Sequence, residues 1–223
     1  MIKAVIFDFD GLILDTESPV YESWLEIYQL YGCSLPISEW LKCVGTADAF
    51  DPYDYLEAQL GHALDRAELH QKRNALKSSL IDLESVMPGV EDRIAEAQAL
   101  GLRLAVASSS PRSWVVENLT RLHLERHFTT IKCCEDVERV KPDPALYRET
   151  LRALSVEAAE AIVFEDSLNG VTAAKRAGIF CVAVPNAITR HSSFELADMQ
   201  LSSLADMSLA DLISATNGTA PER

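Results

Sequence analysis

Two aspartates, Asp8 and Asp10, stand where a short apolar run stops, and Gly11 follows them at once. A turn at the glycine lets both carboxylates face one cleft. Such a pair offers hard oxygen ligands for Mg²⁺, and also a nucleophile beside a proton-transfer group. Taken singly, the same residues read equally well as an acidic cap on a following helix. Ser108 and Ser109 close a second apolar run, in Ser108-Ser109-Ser110-Pro111. A hydroxyl with adjacent backbone N–H groups suits phosphate oxygens, and the plainer reading is a helix N-cap or a Ser-Pro turn. Lys141, in Val140-Lys141-Pro142-Asp143-Pro144, is a cation ahead of a rigid turn, able to neutralise a phosphate or an aspartate. Glu165 and Asp166 follow the apolar residues 161–164, and an acidic pair at the end of a buried strand needs a partner. A metal is one such partner; capping of the next helix by Asp166 or Ser167 is the other reading.

Four apolar, β-branched runs, at residues 2–9, 102–107, 161–164 and 179–184, have the length and uniform hydrophobicity of strands buried on both faces. Three of the four end in groups useful for chemistry; the fourth ends in Pro185-Asn186. Helical periods fall between them at about residues 89–100, 112–122, 143–154 and 167–177, with Gly101 and Gly178 as stop signals. Alternating strands and helices predict an α/β fold with a doubly wound parallel sheet, whose ligands bind beyond the carboxyl ends of the strands. Residues 16–85 break the rhythm with amphipathic stretches at 19–31 and 66–83 and read as a helical insertion. The expected organisation is a core of residues 1–15 and 86–223 with a cap of residues 16–85, hinged near Asp15-Thr16 and Met87-Pro88-Gly89. The last residues, 216–223, read as a frayed tail.

The order Asp-x-Asp, Ser, Lys-Pro, Glu-Asp, each at its own strand end, resembles the haloacid dehalogenase superfamily across nearly the whole chain. Residues 8–17, Asp-Phe-Asp-Gly-Leu-Ile-Leu-Asp-Thr-Glu, are similar to the first motif of its phosphatase and β-phosphoglucomutase-like branch. That resemblance implies a Rossmann-like core with a small helical cap, and attack by Asp8 on phosphorus to give an aspartyl-phosphate. It also implies proton transfer by Asp10, phosphoryl contacts from Ser108 and Lys141, and Mg²⁺ held by Asp8, the Asp10 carbonyl and Asp166, with Glu165 as a ligand or just behind one. The N–H groups of Gly11 and Leu12, and Ser109, join the expected phosphate contacts. Dehalogenases of the superfamily lack the second aspartate, so Asp10 points to phosphate chemistry. The mutase cap carries a histidine after the Asp-Thr pair and an arginine for a second phosphate; here the matching stretches read Thr16-Glu17-Ser18-Pro19-Val20 and Val44-Gly45-Thr46-Ala47-Asp48. Neither residue is there, so hydrolysis is expected over the sugar-phosphate mutase alternative. No cap lysine, Lys42, Lys72 or Lys77, stands in a phosphonatase context. A non-catalytic phosphometabolite-binding or interaction module is disfavoured because every motif residue is present.

With 34 acidic against 20 basic residues the chain carries a formal charge of −14, which opposes nucleic-acid polymers and anionic membranes as partners. The expected partner is a small phosphorylated metabolite, approached through a bound cation, by a monomer or weak homo-oligomer. Cys33, Cys43, Cys133, Cys134 and Cys181 show no metal or disulfide spacing and read as reduced, mostly buried thiols. With no signal-peptide pattern or apolar run of membrane length, a cytoplasmic protein is expected. His123 and His127 lie four apart on an expected helix, where solvation is the plainer reading. Trp24, Tyr28, Trp40, Phe50, Tyr53 and Tyr55 either read a leaving group or pack the cap. Asn217-Gly218-Thr219 matches a glycosylation sequon by chance in a polar tail.

Overall fold

The computed structural model describes residues 1–41 and 50–218; Lys42, Cys43, the Val44-Gly45-Thr46-Ala47-Asp48 stretch and Thr219 lie outside them. Six parallel strands form one sheet: β1 (Ala4–Phe7), β2 (Arg103–Ala107), β3 (Thr130–Lys132), β4 (Ala161–Glu165), β5 (Phe180–Ala183) and β6 (Met199–Gln200). Their order is β3-β2-β1-β4-β5-β6, so the chain reverses its direction of winding between β1 and β4. The four apolar runs of the sequence are the four central strands. β3 and β6 escaped the sequence reading because they are short edge strands, half-exposed and without an apolar run.

The central strands read as unbroken hydrophobic runs because each face of the sheet meets helices. Val5, Phe7, Val106, Ile162, Phe164 and Val182 pack one layer with α5 (Val90–Ala99), α6 (Arg112–Arg121) and α9 (Leu209–Gly218). Ala4, Ile6, Ala105, Val163 and Cys181 pack the other with α7 (Ala145–Leu154) and α8 (Leu168–Arg176). The two sets alternate along each strand, as the pleat requires. Of the described cysteines, Cys133 and Cys181 are buried while Cys33 and Cys134 are half-exposed, and all four are free thiols.

The chain leaves the sheet after Leu14 and returns at Val86, and these two residues pair in an antiparallel bridge. The Met87 N–H closes the crossing on the Ile13 carbonyl at 2.9 Å. Between them lie α1 (Glu17–Leu30), α2 (Ile37–Trp40), α3 (Pro52–Leu60) and α4 (Arg66–Leu83). Asp51 and Asp65 cap α3 and α4, their carboxylates accepting from Tyr53 N–H and from Ala67 and Glu68 N–H. Trp24, Tyr28 and Trp40 are buried in a separate apolar cluster, with Phe50, Tyr53 and Tyr55 packed against it. These aromatics therefore pack together among the helices between Leu14 and Val86, and Ile188 joins that cluster. Among the described residues no helix is long and apolar enough to cross a membrane.

Candidate active site

The register of the central strands places the polar groups. Phe7 is opposite both Val106 and Phe164, so the next residues of β1, β2 and β4 emerge at one level. Asp8 lies one position past β1, Ser108 one past β2, Glu165 ends β4 and Asp166 follows it. Backbone bonds hold these ends: Asp8 N–H to the Phe164 carbonyl at 3.0 Å and Ser108 N–H to the Lys132 carbonyl at 3.0 Å.

Lys141 reaches in from the segment before α7 and is 8% exposed. Its Nζ lies 2.5 Å from Asp8 Oδ1 and 2.6 Å from Glu165 Oε1. Tyr147 of α7 donates to the same Glu165 oxygen at 2.5 Å, and Ser167 Oγ donates to Oε2 at 3.2 Å. Ser167 is also the N-cap of α8, accepting from Gly170 N–H, so the acidic pair is left for other work. Gly170 is required here: a Cβ would overlap the Glu165 carboxylate. Gly11 has φ +77°, and a Cβ there would strike the Asp166 carboxylate and the Asn186 amide.

Three carboxylates, Asp8, Glu165 and Asp166, each present an oxygen, all within 4.8 Å of one another. Lys141 is the cation among them; when all are ionised the four sum to 1 − 3 = −2. Burial pushes the Asp8 carboxyl up to about 7, aided by Glu165 and opposed by Lys141. Burial likewise raises Asp166 well above the usual carboxylate range, with Asp8 and Glu165 adding to it. Burial alone would lower the Lys141 ammonium, but the attraction of Asp8 and Glu165 outweighs it and holds the group above its ordinary value. A buried site left with this excess of negative charge is suited to a divalent cation.

Asp10 sits beside this cluster on the turn. Its Oδ2 accepts from Ser108 Oγ at 3.2 Å and Ser110 Oγ at 2.6 Å, and its Oδ1 from Trp114 Nε1 at 2.9 Å. A cavity of about 380 Å³ opens at the strand ends, lined by Asp8, Asp10, Ser108, Ser109, Lys141 and Asp166, and also by Glu17, Trp40, Asn169 and Thr189.

Residues 5–184 match the model of the haloacid dehalogenase-like hydrolases. The chain belongs to the haloacid dehalogenase-like hydrolase family. A Bacillus subtilis (strain 168) relative named "Putative phosphatase YhcW" is 47% identical over 97% of this chain and 99% of its own length. A Thermotoga maritima protein, "Phosphorylated carbohydrates phosphatase", is 33% identical over 80% of this chain and 82% of its own. The crystal structure of CbbY from Rhodobacter sphaeroides in complex with phosphate superposes with a TM-score of 0.71 at 31% identity, covering 96% of this chain and 100% of that one. Within its family the hydrolase is a phosphoric monoester hydrolase of the β-phosphoglucomutase-like branch.

The geometry amends the sequence reading of this hydrolase in several places. Gly11 and Leu12 N–H groups are spent within the turn, on the Leu14 carbonyl at 2.8 Å and the Phe9 carbonyl at 3.4 Å. Both residues line a different cavity, of about 130 Å³, beside Met87 and Pro88. The tight turn that Gly11 permits is what occupies these donors in the structure. Glu165 is fully buried, paired with Lys141 and still within the three-carboxylate cluster. His123 and His127 do not share a helix: α6 ends at Arg121, His123 has φ 60°, and His127 closes a separate short turn of helix.

Asn186, at the strand end passed over as chemically silent, donates to Asp166 Oδ2 at 2.8 Å and to the Gly11 carbonyl at 3.2 Å. Its own Oδ1 accepts from Ile188 and Thr189 N–H, each at 2.9 Å. Tyr147, Ser110 and Trp114 were missed as well, because helix periodicity marks them only as ordinary positions. For Tyr147 and Trp114 the one legible signal is spacing that puts them in the first turns of helices beginning at the sheet's carboxyl edge, with Ser110 just before one of them.

Proposed function

We propose that this hydrolase releases phosphate from a small phosphorylated metabolite, of sugar-phosphate or nucleoside-monophosphate type, through an aspartyl-phosphate on Asp8 and with Mg²⁺ bound. One observation carries the reading: Asp8, Asp10, Ser108, Lys141 and Asp166 meet at one cavity, with Lys141 bridging Asp8 to a buried Glu165. Asp8 presents its carboxylate oxygen to phosphorus, Asp10 gives a proton to the leaving oxygen and then takes one from water, and Ser108 with Lys141 holds the phosphoryl oxygens. Ser109, exposed on the cavity wall, adds a further contact. Asp8, the Asp10 carbonyl and Asp166 would hold Mg²⁺, which when bound supplies positive charge to the transferring phosphoryl group. Glu165 accepts from Lys141, Tyr147 and Ser167, and we assign it to orienting the lysine. The name of the Thermotoga relative supports the sugar-phosphate class.

A panel of sugar phosphates and nucleoside monophosphates with Mg²⁺ tests the assignment; faster isomerisation of a β-hexose 1-phosphate than phosphate release would instead identify a mutase. Metal binding has its own readout. Millimolar Mg²⁺ should raise the melting temperature of metal-free protein, by about 2.7 kcal/mol of stabilisation at a hundred times Kd. Asp166→Asn should lose that shift.

Glu17, in the first turn of α1, faces the incoming substrate. Burial lifts its carboxyl to about 7, with Asp10 and Asp15 contributing. Below that pH it is neutral; above it, its charge opposes a phosphate dianion. KM is therefore expected to rise about threefold between roughly pH 6 and 8, and Glu17→Gln should flatten that rise. An unchanged profile in the variant would remove Glu17 from the substrate site.

A further inference from the structure

We propose that Trp114 and Ser110 form a cradle that positions Asp10 and determines which of its two oxygens carries the transferable proton. This rests on the phosphatase reading above and extends it to residues outside the four motifs. Asp10 is half-buried at the turn, and its carboxylate is held by side chains from elsewhere in the chain. The third residue of α6, Trp114, packs its ring against the main core and points Nε1 at Asp10 Oδ1, 2.9 Å away. Ser110, just before that helix, brings Oγ to 2.6 Å from Oδ2. From the cap, the Lys77 ammonium stands 5.7 Å from the centre of the Trp114 ring, so the indole is held between core and cap. Asp10 and Ser110 border both the main cavity and a second one of about 410 Å³, which Trp114 and Lys77 also line.

The chemistry of the two donors differs. An indole N–H only donates, so Oδ1 is locked as an acceptor in either protonation state. A hydroxyl donates or accepts, so Ser110 serves Oδ2 whether or not that oxygen bears a proton. The acid form of Asp10 is therefore protonated at Oδ2, the oxygen beside Ser108 and the phosphoryl site. As the Asp8 oxygen bonds to phosphorus and the P–O bond to the leaving alcohol breaks, the alcohol oxygen takes the Oδ2 proton. Asp10 is left a carboxylate with the Trp114 and Ser110 donors still in place. When water then attacks the phosphorus of the aspartyl-phosphate, one of its protons returns to Oδ2 and Asp8 departs as a carboxylate.

Trp114→Phe removes the N–H and keeps an aromatic ring under Lys77. An alkyl phosphate needs protonation of its leaving oxygen, whereas p-nitrophenyl phosphate, with a far better leaving group, needs little. With Mg²⁺, the variant should lose about tenfold in kcat/KM on glycerol phosphate and less than about twofold on p-nitrophenyl phosphate. Ser110→Ala, which disturbs no packing, should show the same selective loss at about threefold, and it carries the test if Trp114→Phe does not fold. Equal losses on the two esters, the mark of a merely structural role, would overturn the cradle, as would no loss on either. Absence of phosphate release by the unaltered protein from both esters and from the sugar-phosphate and nucleoside-monophosphate panel is a different result and would overturn the phosphatase reading itself.

Discussion

Asp8→Asn is expected to lower phosphate release by on the order of 10⁴-fold or more while leaving the fold intact. Asparagine keeps the shape of the side chain and an oxygen for the Lys141 ammonium, so the packing around the strand end has no reason to change. What it removes is the proposed nucleophile, and removing a nucleophile costs orders of magnitude because the other groups act only through it. Stability should move the other way. The metal-free cluster holds three carboxylates against one lysine, and Asp8→Asn takes one negative charge from it. Its melting temperature without metal is expected to equal or exceed that of the unaltered protein. Undiminished Mg²⁺-dependent phosphate release would remove Asp8 from the mechanism; a collapsed melting transition would show instead that the carboxylate holds the fold.

Lys141→Met tests the opposite pole of the site and carries the second-largest effect. In the proposed mechanism Lys141 meets charge on the phosphoryl oxygens, and loss of one such preorganised donor costs about 10²- to 10³-fold in turnover. Unlike the aspartate variant, this one should also unfold more easily. Removing one partner of a buried ion pair costs about 3–5 kcal/mol, because the remaining charges stay buried without compensation. Here Asp8 and Glu165 both lose their cation. The sign of the pH dependence follows from Asp8, which burial already raises to about 7. A carboxyl raised in the folded state stabilises that state below its unfolded value, and the benefit is lost as pH climbs through the folded value. Without Lys141 the raised carboxyl climbs further. The deficit in melting temperature should therefore be larger at pH 8 than at pH 5, which calorimetry at the two pH values measures. Equal deficits would mean that lost packing, not uncompensated charge, accounts for the destabilisation.

The sequence by itself determined the layered α/β core. Runs such as 161–164 are hydrophobic at every position, and their shortness and flanking turn signals fit a strand covered on both faces. It also determined the residue types at the ends of those runs. An aspartate, a serine or a Glu-Asp pair immediately after a buried strand is costly unless something there uses it, so the chemistry is written next to the apolar pattern. Family resemblance then supplied roles for Asp8, Asp10, Ser108, Lys141, Glu165 and Asp166.

Only the tertiary structure decided how those residues stand toward one another. Residues 133 positions apart, Asp8 and Lys141, come within 2.5 Å, and no local pattern encodes a distance across that separation. The turn that Gly11 allows spends N–H groups that looked available for phosphate, because a backbone donor's partner depends on the turn geometry and not on its sequence position. Only the fold pairs Glu165 with Lys141 and brings Tyr147 and Ser167 to the same carboxylate. Asn186 and Trp114 stayed unnoticed until the fold brought them to Asp166 and Asp10, since a polar or aromatic residue in a loop or helix carries no periodic mark of what it will touch. The first motif was legible in one line of sequence, while the support that holds its second aspartate comes from a helix about a hundred residues away.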